Sequence, residues 1–530
     1  MTIRRRDLGL AAVASTALPR VATAQTAAQR VIKFVPQANL TSLDPIWTTA
    51  TVTRNHGYLI YDTLYGTDAQ FRVQPQMAEG HVIEDDGKRV TITLRAGLRF
   101  HDGEPVLAKD CAASLKRWMK RSPFGQKVET LTDEVAADGD RHIVFRLKRP
   151  FPLLFAGLGV PSAPICFMMP ERIANTDPFQ QIREPIGSGP FRFKSDEYRT
   201  GSFVAYERFD AYRPNPNAGP ASLNAGTKTA HFARVEWPII TDPATASAAL
   251  QAGEIDWYEE PTPELQTLLA RNRALVVEKL DELPVVNLMR LNHLHPPFND
   301  KALRQALLPA IEQRDFSIAV VGPDPANWIE NIGMFTPGTP LASDAGLAPL
   351  RGPRSLDRAK QLLRDAGYTN QMVRLIGPTD IMNPAALTQV TADVLRRLGM
   401  NMDLVMADWG TVVQRRASRE PLERGGWSIF CTGFQSFDFV SPAGHFPLRG
   451  NGLNGWPGWP TIPRLEELRD AWFEASDLAA QQRLGAEMQS VAMEEVSFIP
   501  LGGYYAKTAL RRDLRDRVMG FPMFWNIRRG

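Results

Sequence analysis

Residues 77–118 read MAEGHVIEDDGKRVTITLRAGLRFHDGEPVLAKDCAASLKRW, and the rest of the chain is organised around them. Within this stretch RVTITL, residues 89–94, alternates polar with β-branched or leucine side chains, the pattern of a half-buried strand. Asp86-Gly87 just before it is a tight-turn signal, so residues 82–84 and 90–94 are expected to pair as a hairpin. Phe100-His101-Asp102-Gly103 marks a second turn. Residues 106–120 then place Ala112, Leu115, Trp118 and Met119 on one stripe, as an amphipathic helix does.

The same residues, met in one order, resemble the extracellular solute-binding proteins of peptide/nickel-type ABC importers. The matching positions are Ala78-Glu79, Asp85-Asp86-Gly87, Leu94-Arg95, Gly97, Phe100-His101-Asp102-Gly103, Pro105, Ala108 and Asp110. The tryptophan usual after Ala-Glu is absent, its place falling on Gly80 or His81. This motif is scaffold. A turn histidine such as His101, with no Ser or Cys partner nearby, reads as structural rather than catalytic.

A chain of 530 residues, 44% hydrophobic and 22% charged, has the make-up of a soluble globular protein of two or three domains. No run of eighteen apolar residues is present. The N-terminus reads as an export signal: Arg4-Arg5-Arg6, a short apolar segment over 8–18, and Ala22-Thr23-Ala24 as a small-x-small cleavage site. Arg5-Arg6-Asp7-Leu8 and Arg20 point to the twin-arginine route, with an ordinary secretory peptide as the alternative. Cleavage after Ala24 makes the mature protein periplasmic. Four arginines and one aspartate in residues 1–24 account for the whole formal charge of +3, so the remainder is balanced and lacks the basic footprint of a nucleic-acid binder. Cys111, Cys166 and Cys431 have no metal-ligand spacing and read as buried thiols, a 111–166 disulfide being the minor option.

Further matches follow collinearly. Pro185-Ile186-Gly187-Ser188-Gly189-Pro190-Phe191 resembles the family's glycine-rich crossing back to the first domain near the cleft; without a following Gly-Lys-Ser/Thr it is not a phosphate loop. Gly253-Glu254-Ile255-Asp256, residues 298–306 and the helix 357–367 also match. In the second of these Asn299 is the expected N-cap, and Pro309 should kink or shorten the helix. Residues 427–430 read as a strand, 389–401 as a helix, and 495–504 as the strand that returns to the first domain. Strands alternating with helices imply an α/β fold with a largely parallel sheet. His293 and His295 lack a third ligand, so no metal is expected.

The resemblance assigns the ligand to residues 408–459. Asp408-Trp409-x-Thr411 matches a motif whose tryptophan lines the pocket, the alternative being a core indole. Arg416 falls where some oligopeptide binders hold the peptide carboxylate; a solvated helix arginine is the other reading. Phe434 and Asp438 stand for the family's Gly-Trp-x-x-Asp, whose acid meets the ligand's α-ammonium, although the spacing here is one residue longer. In a different register Asp438 would cap a turn with Ser441. Trp456 is a candidate cleft lip or a packing residue, Asn39 a ligand contact or a turn residue, and Ser188 a close backbone approach near the cleft.

The resemblance thus implies a bilobal type II periplasmic-binding-protein fold with an extra inserted lobe (cluster C). Lobe I would comprise 25–60, 186–282 and 490–530, the insertion 61–185, and lobe II 283–489. The implied function is capture of a short peptide between the lobes by a monomeric receptor that docks on ABC permease subunits in the inner membrane, without cofactor or nucleic acid. A non-peptide solute such as an opine, a sugar or a metal chelate is the alternative. No Gly-x-Ser-x-Gly or His-Glu-x-x-His is present to suggest an enzyme.

Overall fold

A computed structural model describes residues 30–162, 164–475 and 477–530; the export-signal reading of 1–24 lies outside them. Asp85, Asp86 and Gly87 all adopt positive φ, which turns the chain tightly enough to pair Ala78–Glu84 with Arg89–Leu94. His142–Leu147 adds to the far side of that hairpin, and Thr132–Asp138 completes a four-stranded antiparallel sheet. The helix Ala108–Arg121 buries Ala112, Leu115, Trp118 and Met119, and Trp118 donates its indole N–H to the Pro164 carbonyl at 2.8 Å.

Two larger sheets flank the cleft. One orders seven strands as Phe191–Phe193, Phe203–Arg208, Arg234–Pro238, Val31–Val35, Trp257–Tyr258, Lys507–Arg511 and Leu275–Lys279. The other orders six as Trp328–Ile329, Ile499–Tyr504, Val285–Leu291, Ile429–Phe434, Val373–Pro378 and Met402–Ala407. Both are mixed, which corrects the expectation of a largely parallel sheet. Among the described residues, parallel pairing occurs only where Val31–Val35 and Val373–Pro378 meet their two neighbours each. The remaining pairs in the two sheets are antiparallel, among them consecutive strands such as Phe191–Phe193 and Phe203–Arg208.

Ile499–Tyr504 is a second correction. It pairs with Val285–Leu291 in the six-stranded sheet, and the chain reaches the seven-stranded sheet only at Lys507–Arg511. The sequence there, IPLGGYYAK, is apolar enough for either core, so only pairing assigns it. The N-cap at 301 is Asp300, not Asn299: its carboxylate accepts from Ala302 and Leu303. That helix ends at Gln305 and Pro309 sits in a following 3₁₀ turn, as the missing proline donor requires. The helix expected over 389–401 begins earlier, at Met382, because Pro384 falls in its first turn where a missing N–H is harmless. The strand expected at 427–430 is Ile429–Phe434. All three cysteines are buried and free.

The chain crosses between the two large sheets twice, side by side, just after Lys279 and just after Tyr504; Leu280 N–H donates to the Ala506 carbonyl at 2.8 Å there. The four-stranded unit also reaches the far side of the cleft. Phe473, on the helix Pro463–Glu474, packs against Phe124 and Phe151, while Lys127 pairs with Asp470 at 2.6 Å and Arg149 with Glu474 at 2.5 Å. No helix among the described residues is long and apolar enough to cross a membrane.

Candidate ligand cleft

Asp408 caps the helix Trp409–Arg416 by accepting from the Thr411 N–H at 3.0 Å. Two helical turns separate Trp409 from Arg416, so both project from one face. The Arg416 guanidinium lies 5.4 Å from the Trp409 ring centre, 5.6 Å from Phe430 and 5.2 Å from Trp456. It is 6% exposed and, among the described residues, has no carboxylate and no hydrogen-bond acceptor. Burial alone pushes its pKa down to about 10. An unpaired buried cation is costly and calls for an anion at that point.

The strand Ile429–Phe434 carries Phe434 to the same place, where it stacks on Phe439 and meets Trp456 edge-on. The 3₁₀ turn Ser436–Phe439 then presents Asp438. Trp409, Arg416, Phe434 and Asp438 line one cavity of about 70 Å³ between the two large sheets. Burial raises the Asp438 carboxyl to about 6, against the opposing pull of the Ser162 hydroxyl and the Arg54 guanidinium. The cleft therefore holds an unpaired cation and a carboxyl on the walls of one small space.

Not every sequence candidate arrives there. Trp456 is a backing residue behind Arg416 and Phe434 and lines neither interlobe cavity. Asn39 lines an adjoining cavity of about 80 Å³, with its Oδ1 accepting from the Gly201 N–H at 3.0 Å. Ser188 is away from both cavities. It is buried beside Ile60, where a Cβ on Gly187 would stand 2.0 Å from the Ile60 carbonyl oxygen. The His101 N–H donates to the Gly187 carbonyl at 2.9 Å and its ring contacts the Gly189 carbonyl, so the glycine-rich motif fastens the first helix to the insertion. His295 faces the Arg419 carbonyl at 2.8 Å, and no metal-holding group of three or more His, Cys, Asp or Glu occurs among the described residues.

Sequence reasoning missed the acids and the arginine on the opposite wall. Arg54, on the first helix Thr51–Ile60, is buried with its guanidinium 3.9 Å from the Phe521 ring and donating to Asn55. Glu259 accepts from the Gln37 N–H at 2.7 Å and from Asn55 at 3.0 Å, while Asp281 accepts from Ser436 at 2.7 Å. Burial raises the carboxyl pKa of Glu259, Glu260 and Asp281. Glu259-Glu260 directly follows a strand parallel to Val31–Val35, so both chain segments leave the sheet at its carboxyl edge, where open α/β sheets bind ligands. That was the signal available for finding them.

A larger cavity, about 720 Å³, lies elsewhere, between residues 68–96 and the loop 213–226. Two of its arginines are already engaged, Arg72 with Asp68 and Arg95 with the carbonyls of Gln76 and Arg213, and it lies apart from the interlobe cavities.

Comparison with known proteins gives the family. Residues 72–450 match the family model of bacterial extracellular solute-binding proteins, family 5 (middle). The chain belongs to this family. It is a solute-binding protein and not an enzyme. Over its full length it is 35% identical to a protein of Sinorhizobium fredii named a probable peptide ABC transporter periplasmic-binding protein, covering all of both chains. A glutathione-binding protein of Pectobacterium atrosepticum is 27% identical, with 82% of this chain and 80% of that one covered. Among solved structures, a Pseudoalteromonas dipeptide-binding protein in complex with Met-Leu superposes with a TM-score of 0.76 at 21% identity, covering 94% of this chain and all of that one. An agropinic acid complex of a periplasmic binding protein from A. tumefaciens gives 0.76 at 19% identity, with 94% and 99% covered. These likenesses show the mixed α/β fold of cluster C periplasmic binding proteins, as expected from the sequence.

Proposed function

We propose that this family 5 protein is the periplasmic receptor of an ABC importer, capturing a short peptide between its two lobes. One observation carries the reading: an unpaired Arg416 guanidinium and the Asp438 carboxyl line the same cavity. A zwitterion satisfies both, its carboxylate on Arg416 and its ammonium on Asp438. Trp409 and Phe434 offer ring faces to the intervening side chains. The similarity to the Sinorhizobium relative and to the dipeptide complex supports a peptide as cargo.

Lobe I would consist of 30–60, 186–282 and the C-terminal segment from 505, the insertion of 61–185, and lobe II of 283–504. Ligand pockets usually measure about 300–1,000 Å³, several times the cavities here, so entry requires the lobes to part about the paired crossings near Leu280 and Ala506. The closed monomer then docks on permease subunits in the inner membrane, after export by the twin-arginine route and cleavage behind Ala24. The small size of the cleft also favours the second reading, an amino-acid-derived solute such as an opine, in line with the agropinic acid complex of a structural neighbour.

Calorimetric titration with di- to pentapeptides, together with mass spectrometry of any ligand that co-purifies, tests the proposal. Free peptides should bind and N-acetylated ones should lose most of their affinity, a difference that Asp438→Asn removes. Equal binding of acetylated and free peptides to the unaltered protein would remove the role given to Asp438.

A further inference from the structure

The two interlobe cavities adjoin, sharing Gln37, Ala38, Ile381 and Asn383 in their walls. The second cavity, about 80 Å³, is also lined by Glu260 from the carboxyl edge of the seven-stranded sheet and by Asp380 from the opposite side. Glu259 and Glu260 are neighbours with different situations. Glu259 is held by the Gln37 N–H and by Asn55. Glu260 has no hydrogen bond or ion pair among the described residues and faces the cavity. Asp380 accepts only the Trp409 N–H, at 2.8 Å.

A second, independent observation lies on the shared wall. Asn383 is 7% exposed; its Nδ2 donates to Asn287 at 3.1 Å, and its buried Oδ1 has no partner. A buried acceptor without a donor costs about 1–3 kcal/mol, which a bound donor would recover. The buried Arg54 guanidinium acts on Glu259, Asp281 and Asp438 as well as on Glu260, so its charge is shared among four carboxyls. A ligand ammonium placed on Asp438 leaves Glu260 and Asn383 unmet.

We infer that Glu260, with the Asn383 carboxamide oxygen, forms a second cationic subsite that selects ligands bearing a basic side chain, an ammonium or guanidinium, in addition to the α-ammonium and carboxylate. The inference rests on the peptide-receptor reading and names the substrate class of that same cleft. The cation displaces no hydrogen-bond or ion-pair partner, since Glu260 has none among the described residues, and its N–H groups supply the donor that Asn383 lacks. Burial, reinforced by the neighbouring charge of Glu259, holds the Glu260 carboxyl above its ordinary range, so capturing a cation should release a proton near neutral pH.

The test is calorimetric titration of the full mature protein with Lys-Ala, Arg-Ala, Gln-Ala, Glu-Ala and citrulline-Ala. Lys-Ala and Arg-Ala should bind about 10- to 100-fold more tightly than Gln-Ala or citrulline-Ala, the range of a charge-assisted contact. In Glu260→Gln that preference should vanish while binding of Gln-Ala stays within about twofold. Glu260→Lys should invert the order in favour of Glu-Ala, and thermal denaturation of each variant checks folding. Equal affinity of the unaltered protein for basic and neutral peptides would overturn the subsite and leave the peptide reading standing. A Glu260→Gln variant that weakens all peptides alike would show a structural residue and also overturn it. If no peptide binds at all, the receptor reading itself fails and the subsite with it.

Discussion

Replacing Arg416 by methionine separates a ligand-binding arginine from a structural one, because the two roles move stability and affinity in different directions. Methionine keeps the length of the aliphatic stem and removes the charge. In the unliganded protein, burial lowers the guanidinium pKa from its ordinary value to about 10, a penalty on the charged form of roughly 3 kcal/mol. Against that stand three ring faces, Trp409, Phe430 and Trp456, each contributing about 0.5–1 kcal/mol to a nearby cation. The difference is near zero or up to about 1–2 kcal/mol in favour of the variant. Urea denaturation of unliganded Arg416→Met should therefore match or exceed the original protein. Peptide affinity should fall by about 1.5–3 kcal/mol, roughly 10- to 150-fold in Kd, for loss of a charge-assisted contact to a carboxylate. C-terminally amidated peptides should bind the two proteins almost equally. A variant that loses more than about 2 kcal/mol of stability and keeps its Kd would refute the reasoning and make Arg416 a packing residue.

Three other outcomes follow from the same structure. Asp438 has a folded-state pKa of about 6, above its unfolded value, so the stability it contributes is complete below about pH 4 and is lost as pH rises through 6. Comparing the unliganded protein with Asp438→Asn from pH 4 to 7, the denaturation midpoint of the former should decline more steeply, by on the order of 2–3 kcal/mol across the range, and parallel curves would contradict this. Phe473 is 5% exposed and joins the insertion to the second lobe through Phe124 and Phe151; Phe473→Ala should cost about 3–5 kcal/mol of contact energy and enlarge the radius of gyration measured by small-angle scattering without ligand, with added peptide restoring the compact form. Gly187→Ala drives a Cβ to 2.0 Å from the Ile60 carbonyl oxygen and should lose more than about 3 kcal/mol in denaturation, whereas Gly80→Ala, which meets nothing within 4 Å, should stay within about 1 kcal/mol.

Much of this protein is written locally. The Asp85-Asp86-Gly87 turn, the alternation of residues 89–94 and the stripe of 112, 115, 118 and 119 define the hairpin and its helix, since turn geometry and side-chain period depend on residues close in sequence. The Trp409–Arg416 spacing likewise places both side chains on one helix face without help from the rest of the fold. The order of strands is not local. Ile499–Tyr504 suits either sheet by composition, and only its pairing with Val285–Leu291 assigns it to the second. The same holds for the cleft. Glu260 and Asn383 are 123 positions apart and Arg54 and Asp438 are 384 apart, and each pair comes together only in the folded chain. Motif spacing identified the family and pointed to Trp409, Arg416, Phe434 and Asp438, which line one cavity, while tertiary packing decided which charges are buried without a partner. A charge becomes unpaired only when water is removed and the surrounding side chains have settled, and neither is encoded within a single stretch of chain.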